Sequence, residues 1–352
     1  VYAANHADEL KNDGMSTDDA IAHGIDEIEK LFPDFQDVRP GAPELITRDQ
    51  GWVSVVIGGV QKSPISRIRT RQTDIRPKGI RAKGYTTKGE QKTLSENAKL
   101  LARTTEPTTV YRKDELHRDD IIDITEFDVV DYNFRIMKLN LNEEIAQAAL
   151  IGDGREDLDP DKIDETKIRP IYKDSALYTI RQKVDIAAAR AELQGSDASK
   201  YFGDNFVISE AIITAALYAK EKYKGSGKLD FFCTPHLVNV MMLAKDMNGR
   251  RIYNSRAEIA ARLDVNNIYT VEQMEGITNE VEGVENELLG IMVDLRDYQF
   301  GATKGGEITR FNQFDIDVNK EKYLLETRLS GALTRVYSAI VLEQPVVDPV
   351  NP

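Results

Sequence analysis

Three short stretches of this chain carry residue types that could do chemistry. Gly225-Ser226-Gly227-Lys228 has the small residues and the lysine of a phosphate-cradling loop. Leu229 stands where such a loop needs a serine or threonine to reach magnesium, so the stretch reads as a turn. Asp157, Asp159 and Asp161 have the alternate spacing that opens a calcium loop. Lys162 replaces the glycine of its sharp bend, and Ile168 sits where a bidentate glutamate would close the shell, so a solvated acidic linker is the better reading. His6, His23, His117 and His236 lack the spacing of metal ligands, and His236, after a helix-starting proline, reads as a capping or packing residue. Cys233, the single cysteine, lies in the apolar run Phe231-Phe232-Cys233 and reads as a buried small hydrophobe. No dinucleotide turn, nucleophile elbow or zinc helix occurs in the sequence. The expectation is a non-enzymatic protein with no cofactor and no metal.

Charge is the stronger signal. Twelve basic residues lie between Lys62 and Arg103 (Lys62, Arg67, Arg69, Arg71, Arg76, Lys78, Arg81, Lys83, Lys88, Lys92, Lys99 and Arg103) against Asp74, Glu90 and Glu96. That segment carries +9 in a chain of net charge -13, which leaves -22 on the remainder. A basic arm on an acidic body grips a polyanion, grips the acidic body of another copy, or is merely a solvated charged loop. Tyr85 is the only aromatic residue in the segment, and arms that bind nucleic acid usually interleave aromatics for stacking, so the second reading is favoured.

The elements that would position these residues follow from periodicity. At 352 residues, 41% hydrophobic and 30% charged, the chain suits a soluble globular protein of two domains. No apolar run is long enough to span a membrane and no signal peptide is recognisable, so a cytoplasmic protein is expected. Ser16 to Phe32 has a helical stripe, and proline-rich breaks follow it. Trp52 to Val60 reads as a strand, and the basic segment as a two-stranded excursion that returns through Thr105 to Arg112. Thr125 to Ile151 reads as one helix roughly 40 Å long, with Phe127, Val130, Phe134, Met137, Leu141, Ile145 and Ala148 on one face and Thr125 at its cap. Gly152 ends it as the C-cap. Beyond an acidic linker, helices are expected at Tyr178 to Leu193, at Ser209 to Lys224, after Thr234-Pro235 and after Ser255. Strands are expected at Leu229 to Cys233, Asn267 to Gln273, Leu288 to Leu295, Ile308 to Phe314, Phe314 to Val318, Tyr323 to Arg328 and Tyr337 to Leu342.

The ordered set resembles a known family. The basic excursion, the return Leu116-His117-Arg118-Asp119-Asp120-Ile121-Ile122-Asp123, the long helix and Leu150-Ile151-Gly152-Asp153-Gly154-Arg155 are followed by Phe231-Phe232-Cys233-Thr234-Pro235, Asn248-Gly249-Arg250-Arg251-Ile252-Tyr253 and Tyr323-Leu324-Leu325-Glu326-Thr327-Arg328-Leu329-Ser330-Gly331-Ala332. In that order, across about Trp52 to Leu342, they resemble the major capsid proteins of tailed bacteriophages, with the Hong Kong 97-type fold. The resemblance implies an α+β chain: an N-terminal arm (1–51), a strand with an extended basic loop (52–115, the loop about 62–112), a peripheral domain with a spine helix (116–173, helix 125–151), an axial domain (174–288), strands returning to the peripheral domain (289–344) and a tail (345–352).

It also implies roles. Arg76, Lys78, Arg81, Lys83, Lys88 and Lys92 would contact a neighbouring subunit, Phe127, Val130, Phe134, Met137, Leu141 and Ile145 would pack the spine helix, and Gly152 and Gly154 would form a domain hinge. The expected partners are further copies in pentamers and hexamers, with a portal, a scaffold and a maturation protease during assembly, and weakly held packaged DNA. A start at Val1 instead of methionine agrees with members that lose an N-terminal scaffolding segment. The expected location is the virion capsid, assembled in the host bacterial cytoplasm, with no membrane contact. The rival readings are an encapsulin-type nanocompartment, which shares the fold, and a soluble nucleic-acid-binding protein acting through 62–103.

Overall fold

The computed structural model describes residues 43, 45–75, 77–84, 88–89, 91–123, 128–194, 202–281, 283–302 and 306–346. The helix expected at Ser16 to Phe32, the side chains of Arg76, Thr125 and Phe127, and the end of the tail lie outside the described residues. The chain divides into two compact units, Val1–Leu45 with Asp119–Tyr132, and Ile46–Arg118 with Asn133–Pro352. In the first unit, the Asp128 carboxylate accepts the backbone N–H of Asp131 at 2.9 Å, which caps a helix starting at Val129. The cap expected at Thr125 lies outside the described residues. A short helix, Arg118–Asp123, also stands where the chain was expected to run straight into the long one.

In the second unit, Gly51–Gly59 is a helix (α1) where a strand was expected. Trp52, Val53 and Val56 are its buried positions, spaced one and three apart, so packing of a helical face overrides the strand preference of its valines. Strands β1 (Gln61–Ser63), β2 (Ile68–Asp74), β3 (Lys99–Thr105) and β4 (Thr108–His117) follow. β2 and β3 pair antiparallel as a separate ribbon, from Ile68 opposite Thr105 to Asp74 opposite Lys99. All but the first residue of the short helix α2 (Arg118–Asp123) and the first residues of α3 (Val129–Leu150, about 33 Å long by its rise per residue) belong to the first unit, and α3 from Asn133 onward belongs to the second. It ends where Gly152 takes φ +99°, with the Gln147 carbonyl accepting N–H groups from both Ile151 and Gly152.

Two larger sheets complete the unit. The five-stranded sheet is built on β12 (Lys320–Leu333), which pairs with β10 (Tyr298–Ala302) and β11 (Thr309–Asp315) on one edge and with β4 on the other, while β1 lies parallel to β10. Phe134 of α3 meets Tyr323 of β12 edge-on at 5.1 Å, and the Arg310 guanidinium lies 3.2 Å from the Phe134 ring centre. The six-stranded sheet runs β5 (Thr179–Lys183), β13 (Ala339–Pro345), β9 (Val284–Val293), β6 (Asp230–Cys233) and β7 (Ile268–Thr270), with β8 (Thr278–Val281) on β9. Helices α4 (Ile186–Gln194), α5 (Asp204–Lys220), α6 (Pro235–Met242) and α7 (Arg256–Leu263) accompany it. Ala211, Ile212, Ala216, Phe231, Leu237, Ile259, Met292 and Ile340 form one core there. The alanines let α5 approach the sheet closely.

Boundaries and sheet partners also differ from expectation. Tyr178 to Leu193 was expected as one helix but splits into β5 and α4, because Thr179–Lys183 pairs in parallel with β13 and Asp185 then caps the new helix through the Ala188 N–H at 2.8 Å. The strand expected from Phe314 to Val318 ends at Asp315, and Ile316 to Asn319 is a turn, since Asp315 accepts the Asp317 N–H and Asn319 takes φ +52°. β13 belongs to the six-stranded sheet and not with the strands expected to return to α3. Its residues Ala339 to Leu342 are wholly buried, as a strand covered on both faces requires. Thr234 and Ser255 cap α6 and α7 as expected, but Glu258 reaches back to the N–H of Asn254, one residue earlier than a capping box would have it.

Candidate interaction surface

The basic segment is fixed at one end and open at the other. At the base of the β2–β3 ribbon, Ile68 and Thr105 are buried. Arg103 makes a 2.9 Å ion pair with Asp174, with both side chains nearly removed from solvent. Its other nitrogen donates to the Leu333 carbonyl at 3.3 Å, and its guanidinium lies 4.2 Å from the Tyr178 ring centre. Gln72 donates to the Thr334 carbonyl at 3.0 Å, and Ser330 donates to the Ser66 carbonyl. Residues 174–178 and 333–334 lie on two of the chain's crossings between the large sheets, so the ribbon is bolted to that junction. Asp174→Ala would strand the Arg103 charge, which costs about 3–5 kcal/mol for a buried pair broken on one side. The check is a chemical denaturation midpoint lowered by that amount, and an unchanged midpoint would remove the pair's importance.

Beyond Asp74 and before Lys99 the described residues of the segment are mostly exposed. Lys78, Arg81, Lys83, Lys88 and Lys92 all point to solvent. Lys78–Ile80 makes a single 3-10 turn. The Gly79 carbonyl accepts the Glu96 N–H at 3.0 Å, and the Arg81 carbonyl accepts the Ser95 hydroxyl at 3.4 Å. Within the chain, the Lys83 ammonium donates to the Leu94 carbonyl at 2.7 Å and to the Thr93 hydroxyl at 3.4 Å. Spacing in sequence gave no sign of this, since the partners lie ten and eleven residues away.

The other candidate chemistries resolve into structural roles. The Ser226 N–H and hydroxyl both donate to Asp297, whose carboxylate is buried, so the glycine-rich stretch is a turn whose anion-binding face already holds a carboxylate. Arg335 also reaches Asp297, at 3.4 Å, and the Asp297 carbonyl accepts both the N–H and the hydroxyl of Thr334. In the acidic linker, Asp157 pairs with Lys162 at 2.6 Å and Asp159 accepts the Asp161 N–H at 2.9 Å. Buried Asp153 closes that linker through the Ile163 N–H at 2.7 Å and Arg155 at 3.1 Å. Gly154 beside it takes φ +77°. Cys233 is fully buried, and burial pushes its thiol far above the ordinary range, away from the reactive thiolate. His236 is exposed at the start of α6.

A cleft of about 790 Å³ opens between β4, α3 and the linker, lined among others by Arg48, Arg112, Lys113, Glu143, Glu144 and Arg155. Gln50 and Gln273 each donate to Glu143, at 3.0 and 2.5 Å. Burial raises the Glu144 pKa and the nearby Arg155 charge opposes that shift. Phe134, Met137, Leu141 and Ile145 are buried along α3, while Val130 is half-buried. Among the described residues no cluster of His, Cys, Asp or Glu has the arrangement of a metal site, and no helix is long and apolar enough to cross a membrane.

No protein-family model matches the chain, and no curated protein matches it either. Solved structures do match over nearly its full length. The capsid of Myoviridae phage XM1 superposes with a TM-score of 0.57 at 10% identity, over 89% of this chain and 98% of that one. The capsid of a native GTA particle gives 0.56 at 11% identity, over 94% and 100%. A structure of Gordonia phage Cozz gives 0.51 at 13% identity, over 90% and 94%. At such identities the likeness is one of fold.

Proposed function

We propose that this chain, which has the fold of tailed-phage major capsid proteins, is the repeating subunit of an icosahedral shell around a double-stranded DNA genome. The observation that carries the reading is coverage: the likeness extends over about nine-tenths of this chain and nearly all of each capsid chain, so the matched fold is the whole capsid fold and not a fragment of it. Its role is structural and not catalytic, and its place is the virion capsid. Pentamers and hexamers form through the six-stranded sheet and its helices, about 174–288 with β9 and β13. The five-stranded sheet and α3 form the peripheral part, with Gly152 and Gly154 as the hinge between them. Lys78, Arg81, Lys88 and Lys92, with Arg76, reach a neighbouring subunit. A portal, a scaffold and a maturation protease take part in assembly.

The charge distribution supports the same reading. An acidic body limits the phosphate contacts whose cumulative strength would otherwise glue the shell to its DNA, while the basic ribbon meets acidic surface on the next copy. The test is the mass of the purified, assembled protein by light scattering, with negative-stain microscopy. Closed particles in the megadalton range are expected, with DNA and not protein cargo when isolated from infected cells. A monomer that binds DNA in a salt-dependent manner would overturn the proposal in favour of a soluble nucleic-acid-binding protein.

A further inference from the structure

We propose that Leu94 anchors the basic loop on a second copy of this chain, and that Lys83 is the clip that presents it; this rests on the shell reading above. Leu94 is 95% exposed, in a limb that the loop holds firmly around it. Lys83 takes the Leu94 carbonyl and the Thr93 hydroxyl. On the far side, Ser95 and Glu96 bond to the carbonyls of Arg81 and Gly79. A lone exposed leucine needs no explanation. One whose backbone is tied on both sides, at the expense of an ammonium that would otherwise pair freely, is a preorganised contact, and preorganisation removes ordering cost at the moment of binding.

The surroundings identify the occupant of the opposing surface. Lys78, Arg81 and Lys92 stand exposed in the same loop as Leu94, and the chain outside the basic segment carries -22. An apolar centre inside a charged rim is the ordinary anatomy of a protein interface, and the complementary charge lies on another copy of the same molecule. The division of labour is that the cations steer the loop and Leu94 holds it. Salt separates the two contributions, because at roughly 1 M the Debye length falls to about 3 Å and exposed pairs lose most of their attraction.

Particle yield is measured by sedimentation and microscopy for wild type, Leu94→Asn, Leu94→Met, Lys83→Met and Lys83→Arg, with thermal melting of each unassembled subunit as the folding control. Leu94→Asn leaves the charge unaltered and is expected to lower particle yield about tenfold or more, as removing a central apolar anchor from every repeated interface would, with melting unchanged. Leu94→Met should retain assembly. Lys83→Met should lower the yield, Lys83→Arg should restore part of it, and wild-type particles, once formed, should survive the high-salt condition. Wild-type yield from Leu94→Asn overturns the anchor, and wild-type yield from Lys83→Met overturns the clip. Absence of particles from the wild type itself overturns the shell reading and is recognised separately, because it needs no variant.

Discussion

Met137→Asp is expected to abolish the folded chain, seen as loss of soluble protein or of a cooperative melting transition. Met137 has no solvent exposure, and its sulfur faces the Asn133 amide at 3.8 Å. That single donor satisfies a fraction of what a carboxylate needs, so the new charge is buried essentially unpaired. Losing the methionine packing costs about 2–5 kcal/mol, and stranding a carboxylate adds several more, against a total stability of roughly 5–15 kcal/mol for a native protein. The helix stripe read from sequence points equally well to Phe134, but Arg310 lies over that ring and would meet an aspartate placed there. Met137→Leu is the volume-conserving control and should cost less than about 1.5 kcal/mol. Recovery of folded Met137→Asp would mean that α3 is not the element on which the five-stranded sheet is packed.

Reversing Lys78, Arg81 and Lys92 together to glutamate is expected to leave the subunit folded and to prevent particle formation. All three side chains are exposed. An exposed pair contributes only about 0–1 kcal/mol, so the monomer should melt as before. In a closed shell the same loss is repeated at every interface, and the reversal turns attraction into repulsion against an acidic neighbour. Particles of normal size from this variant, seen by microscopy at low salt, would show that the loop's charge has no part in assembly. Lys83 is left out of the set because its ammonium works within the loop.

What could be read from the sequence was mostly what local chemistry decides. Thr234-Pro235, Ser255 and Gly152 mark helix ends through hydrogen bonds that reach three to five residues, and the structure has those ends. The buried positions of α3 likewise follow from one helical period. Failures arose where a distant partner decides. Trp52 to Val60 carries strand-forming valines, yet it is helical because its buried face and the close approach of Leu295 to Gly59 are fixed by tertiary packing. Thr179–Lys183 becomes a strand only because β13, some 160 residues later, lies beside it. The basic loop was visible in composition, but neither the Arg103–Asp174 bolt nor the Lys83 clip could be, since each joins residues that no periodicity relates.

The place of β12 and β13 in the chain has a consequence for biosynthesis. β12 is the ladder partner of β4, β10 and β11, and β13 lies between β5 and β9, so each large sheet is completed by a strand from the latest part of the sequence. A growing polypeptide that has not yet emerged through Pro345 leaves the edges of β4, β5, β9, β10 and β11 open, and such long-range pairings are slow to form. Open edges are sticky, and the interval before they close is when chaperones matter. Emergence of β12 and β13 from the ribosome is thereby the step that licenses the subunit, since a chain not yet extended that far lacks the very strands on which either sheet is assembled.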